Sequence, residues 1–211
     1  GPSRRAGGRL GGDWRQGYRT QEGHAVRGQG GKEKDRLDYN SAAGSIQAAI
    51  QCADDVASLY LMRGDLLRRM GRQQTEAIAD YVRGLELAGD QIPVEEKARY
   101  HFEVGELLIW RQRYAEAVEH LLQTVELAPG RYGKAAAMAA DAYLAIVERV
   151  PAESLLQDAD AKVERLKRLI ALNPAGALSI RLRQRLADIY LLRKQTDEAA
   201  QTLRGILETD P

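Results

Sequence analysis

The sequence predicts an all-α chain built from antiparallel helix pairs, and three observations carry that prediction. From Tyr39 onward Ala, Leu, Glu, Arg and Gln dominate, all good helix formers. Runs of β-branched residues alternating with polar ones, the mark of half-buried strands, do not occur there. Isolated Gly and Pro residues cut the chain into segments of helical length joined by short connections, which favour antiparallel neighbours.

The segments follow in order. Residues 1–36 hold ten of the 20 glycines and no apolar periodicity, so they are expected to be disordered; ordering so much glycine is entropically costly. They also carry seven Arg and two Lys against four acids, about +5, which leaves about −4 on the rest. The domain reading is a Gly/Arg-rich tail or linker over 1–38 and a helical repeat domain over 39–211. Helices are expected near 41–52, 56–70, 74–88, 94–111, 114–127, 132–149, 155–172, 176–193 and 196–208. Gly71 suits a helix C-terminus, and Pro93 suits a first turn. Pro129-Gly130 stops the fifth segment, and Pro151 the sixth. Ser154 to Gln157 has capping-box spacing, and Asn173-Pro174 ends one helix and can cap the next.

A repeat emerges when the segments are read in pairs. One pair gives His101-x2-Val104-Gly105-x2-Leu108, then Ala117-x3-Leu121, then Pro129. Before it stand Tyr60-x2-Arg63-Gly64-x2-Leu67, Ala77-x3-Tyr81 and Gly89. At the end stand Leu186-Ala187-x2-Tyr190, Ala199-x3-Leu203 and Pro211. A degenerate unit has Ala139-Ala140-x2-Tyr143, Lys162-x3-Leu166 and Pro174, and Ala42-x3-Ile46-x2-Ala49 looks like a lone leading helix. The small residues let paired helix axes approach, and large residues one turn away fill the seam. One pair cannot bury both of its faces, so pairs must stack.

This pattern resembles the tetratricopeptide repeat, W-x2-L-G-x2-Y then A-x3-F then P, with His and Leu in two aromatic slots. The resemblance covers about residues 41–211 and implies a right-handed superhelical solenoid of about four helix pairs plus a leading helix. The repeat is irregular: the small residues are spaced by 41, 35 and 47 residues, where a strict repeat gives about 34. A polar capping helix is expected at the end of such a solenoid, and none follows the last pair, so the domain reads as truncated at Pro211.

The resemblance also implies that first helices line a concave groove. The residue after each seam position lies about 100° further round the helix. That places Phe102, Glu106, Ile109 and Trp110 on one inward stripe, with Asp65, Asp141 and Asp188 extending it and Arg99 beside them. Phe102 and Trp110 are expected as apolar anchors, and the acids point to a basic-amphipathic protein or peptide partner. The alternative for the aromatics is packing against the next unit, and for the acids pairing with cations such as Arg69, Arg99, Lys134, Arg181 or Arg185.

Signals for chemistry are poor, and the chain is read as a scaffold, not an enzyme. Cys52 lies in no catalytic motif and reads as a small packed hydrophobe. His24, His101 and His120 lack metal-ligand spacing, so no metal or cofactor is expected. The tail has Trp14 and Tyr18 among its arginines, as in RNA-binding tails, but Arg27-Gly28 is its single Arg-Gly step. A flexible linker or vector-derived segment fits it better than RNA binding. No apolar run is long enough to span a bilayer, and a cytoplasmic location is expected. The second functional reading is a regulatory segment of a larger enzyme or signalling protein. The last helix, lacking a cover, is expected to expose Leu203 and Leu207 and to be the least stable.

Overall fold

The computed structural model describes residues 29–71 and 73–209. Among them the chain is helical throughout: α1 (Gln29–Cys52), α2 (Ala57–Met70), α3 (Gln74–Ala88), α4 (Val94–Trp110), α5 (Tyr114–Leu127), α6 (Ala135–Val147), the single turn α7 (Ala152–Leu155), α8 (Ala159–Leu172), α9 (Gly176–Leu192) and α10 (Thr196–Thr209). The closest pairings are the hairpins α2–α3, α4–α5 and α9–α10, together with α5–α6, and the pairs stack into a solenoid.

The seams are built as the repeat requires. Ala77, Ala117, Ala140, Ala187 and Ala199 are all buried, as are Gly64 and Gly105. A methyl group on Gly105 would stand 2.7 Å from Leu121 Cγ, and one on Gly64 would stand 2.8 Å from the Tyr81 ring. Gly84, in the middle of α3, makes a third contact of this kind, 2.5 Å from Leu61 Cδ2.

Around these seams the core forms two clusters. One gathers Leu61, Leu67, Ile78, Tyr81, Tyr100, Val104 and Leu108. The other begins with Val118, Leu121 and Leu122 on α5 and runs through α6, α8, α9 and Ala199 of α10. The α4–α5 hairpin contributes to both, and Ile109 packs against each.

Several boundaries differ from expectation. The leading helix starts at Gln29 and runs across the expected boundary at residue 38; the remainder of the tail, residues 1–28, lies outside the described residues. The expected helix 155–172 is interrupted at Asp158, which takes φ 50°. Ser154 consequently sits inside α7 and caps nothing. Pro93 precedes α4 as its N-cap residue. Asn173 does not cap α9; its side-chain nitrogen donates to Leu169 O at 2.9 Å and Ala136 O at 3.2 Å, closing α8 and tying it to α6.

The degenerate third unit has a physical account. Lys162 occupies the slot that holds Ala elsewhere, and its ammonium donates to the carbonyls of Ser154, at 3.3 Å, and Gln157. Helix α8 pairs only loosely with α6. Helix α6 instead lies against α5, with Ala135, Ala139 and Ala142 buried. At the end of the stack Leu203 and Leu207 are 41% and 75% exposed.

The seam contacts give a paired expectation. Gly105→Ala forces Leu121 to move inside a filled core, which typically costs about 1–3 kcal/mol. Gly44→Ala, with no atom within 4 Å of the new methyl, gains about 0.5–1 kcal/mol from helix entropy alone. Urea denaturation of the two variants should move in opposite directions.

Candidate partner-binding face

In each of the first helices α2, α4, α6 and α9 the acid following the seam residue has an arginine partner. Asp65 meets Arg99 at 3.5 Å, Glu106 meets Arg68 at 3.3 Å, Asp141 meets Arg181 at 3.6 Å and Asp188 meets Arg185 at 2.9 Å. Two of these pairs join α2 to α4 and one joins α6 to α9; the Arg185–Asp188 pair is local to α9.

The α2–α4 portion is the densest. Arg68 Nε lies 2.6 Å from Glu103 Oε2 as an ion pair, without the geometry of a directed hydrogen bond. Arg99 reaches Glu96 at 3.8 Å and stacks over the Tyr100 ring at 4.0 Å. Burial pushes the Glu103 carboxyl above its ordinary range, although Arg68 and Arg99 pull the other way. Tyr81, wholly buried, donates its hydroxyl to Asp65 Oδ1 at 2.8 Å. Burial, followed by the Asp65 charge and hydrogen bond, holds that phenol well above its usual range. Asp65 therefore serves the seam and the face together.

The apolar stripe divides. Phe102 is half-buried against Tyr132 of the α5–α6 loop, with ring centroids 5.1 Å apart. Ile109 is half-buried between the two core clusters. Trp110, the last residue of α4, is 79% exposed. The structure thus brings Asp65, Arg99 and Glu106 into one cluster through Arg68 and Glu103; Asp141 and Asp188 sit in separate pairs further along.

Other residues lie where sequence reasoning did not place them. Cys52, read as packed, is exposed at the end of α1. Arg63 donates from Nε to Asp80 Oδ2 at 2.6 Å, forms a second bond from Nη2 to Oδ1, and also reaches Gln47, clamping α1, α2 and α3. His101 and His120 meet each other, Nδ1 to Nδ1, at 3.0 Å. Their i-to-j spacing across a hairpin gives no local signal. Among the described residues, no group of three or more His, Cys, Asp or Glu is placed to hold a metal, and no helix is long and apolar enough to cross a membrane.

The dual role of Asp65 separates two substitutions. Asp65→Ala strands a buried hydroxyl and should cost about 1–3 kcal/mol. Asp65→Asn keeps an acceptor for Tyr81 and loses only a partly exposed charge pair, so it should cost under about 1 kcal/mol. Chemical denaturation of both variants beside Tyr81→Phe measures the difference.

Residues 183–211 match the tetratricopeptide repeat family. No curated protein sequence matches the chain. Among solved structures the chain is similar to a crystal structure of MamA, at 17% identity over 88% of this chain and 96% of that one, with a TM-score of 0.44. It is similar to MamA from Desulfovibrio magneticus RS-1, at 16% identity over 83% and 88%, with a TM-score of 0.43. It is also similar to the nearly identical TPR-like repeats of a putative kinesin light chain from Podosopora anserina, at 16% identity over 84% and 90%, with a TM-score of 0.40. The matched C-terminal hairpin shares its small-residue seam with the α2–α3 and α4–α5 hairpins, and the fold is a tetratricopeptide-like solenoid of helix pairs.

Proposed function

We propose that the protein is a non-catalytic interaction scaffold that takes a basic-amphipathic segment of a partner protein along the face formed by α2, α4, α6 and α9. The carrying observation is Trp110: a large aromatic left 79% exposed on a helix whose other stripe residues are half-buried. An exposed aromatic beside a polar rim is a natural anchor for a partner. Charge supports the class of ligand. In the ion-pair clusters of this face the six carboxylates of Asp65, Glu103, Glu106, Asp141, Glu148 and Asp188 meet the four guanidinium groups of Arg68, Arg99, Arg181 and Arg185. The excess is acidic even after internal pairing, which favours Lys or Arg on the partner. Phe102 and Ile109 support the face from beneath by fixing α4 against the next repeat.

The test begins with a binding peptide selected from a displayed library against the full chain. Trp110→Ala should weaken its affinity about 30-fold, the equivalent of about 2 kcal/mol for an aromatic anchor. Asp65→Lys with Asp188→Lys should mainly slow association and flatten its salt dependence. Folded variants that bind as the parent does would place the binding surface elsewhere.

A further inference from the structure

The α4–α5 hairpin holds a titratable pair that the partner-binding reading does not use. His101 projects from the first helix and His120 from the second, with Nδ1 atoms 3.0 Å apart and ring centroids 5.1 Å apart. Both rings are half-buried at the seam between helices. At that separation the two nitrogens can share one hydrogen: one Nδ1–H donates and the other Nδ1 accepts through its lone pair. The arrangement survives one added proton, because an imidazolium still finds an acceptor. It does not survive two. Both nitrogens would then be donors, facing each other as like charges at a half-buried seam.

We propose that His101 and His120 form a proton-operated latch between α4 and α5, closed while the pair retains an acceptor nitrogen and released in mild acid. The charged groups around the pair leave this outcome in place. On α4, Lys97 adds a further positive charge near His101. On α5, Glu116 and Glu119 favour a charged His120, but Glu116 is engaged with Arg113, and Glu119 with Arg165 of α8 at 2.6 Å. Lys97 is itself paired with Asp90 of the α3–α4 turn at 3.2 Å. The charges that shift either ring stand on α4 and α5. Burial lowers both imidazoles, His101 to about 4 with help from His120 and Lys97.

The direction with pH follows. An imidazole whose folded-state pKa is below its unfolded value favours unfolding as protons are added. The stability is whole above about pH 6.5, is lost as the pH falls toward 4, and levels off below that. The site of the loss matters as much as its size. The pair joins the two helices that serve both core clusters, and α4 carries the seam residue Gly105 on one face and Trp110 at its end.

The experiment uses the full chain. Histidine resonances followed by NMR should show His101 titrating near pH 4 instead of near 6.5. The unfolding equilibrium constant from urea titration should rise about 20-fold between pH 7 and pH 5 on account of His101 alone. In His101→Gln/His120→Gln, whose amides can keep a neutral hydrogen bond, that portion of the pH dependence should vanish while the carboxylate background remains. Should the double variant fail to fold, amide exchange of the parent decides. Residues 104–108 and 117–122 should lose protection between pH 7 and pH 5, beyond the intrinsic rate change, while α9 and α10 do not. Two histidines titrating independently near 6.5, parallel pH curves for parent and variant, or uniform loss of protection would each overturn the latch.

Discussion

Everything in this molecule depends on how closely two helices of a pair can approach. The distance is set where a first helix offers Gly64 or Gly105 and the second answers with Tyr81 or Leu121, less than 3 Å from where a methyl would stand. With the axes that near, the large side chains have no room within the seam except the slots one turn away, so each pair locks in one register. The outer surfaces of a locked pair are still apolar, and they are covered only by the next pair. Close approach within a repeat therefore forces stacking between repeats, and the third unit shows the converse. With Lys162 where an alanine would stand, α8 makes little contact with α6, and α6 takes its close partner from the preceding repeat.

The stacking in turn decides where charge can go. The residue next to each seam glycine or alanine must emerge on the first-helix face, and in every pair it is an acid. Arranged a repeat apart, these acids would repel one another without counterions. Arginines supply those counterions, reaching across from neighbouring first helices in the α2–α4 and α6–α9 portions of the face. Such exposed pairs contribute little stability individually. Their effect is on the surface: long side chains are held down on the face, and its charges are partly neutralised.

Much of this was legible in the sequence, because a seam of small residues at fixed offsets is a local pattern. The helix limits of α3, α5 and α9 fall within a residue of those read from Gly, Pro and apolar spacing. What was not legible falls into two physical classes. One is backbone: Gln112, Asp158 and Lys194 take positive φ without being glycine, and only the fold around them selects that conformation. Arg113 N–H bonding to Leu108 O at 2.9 Å and Gln195 N–H to Tyr190 O at 2.8 Å close the same turn in two repeats, from dissimilar residues. The other is pairing across elements. Tyr81 with Asp65, Arg63 with Asp80, and His101 with His120 lie 16, 17 and 19 residues apart, and no periodicity along one helix announces them. Spacing along α4 could not separate the half-buried Phe102 from the exposed Trp110, because that depends on Tyr132 arriving from a loop.

His101 stands in a slot where the repeat pattern has tryptophan, and the exchange has a structural cost that the second histidine removes. A lone imidazole at a half-buried seam would leave a ring nitrogen without a partner, whereas tryptophan would fill the space with one N–H to place. His120, one residue before the large-residue slot of Leu121, faces it across the hairpin, and the two polar rings satisfy each other. The pair thus replaces an aromatic contact with one of similar bulk whose strength depends on protonation. It sits on the one hairpin that feeds both core clusters, so a change confined to two nitrogens acts on the junction of the solenoid and not on an end.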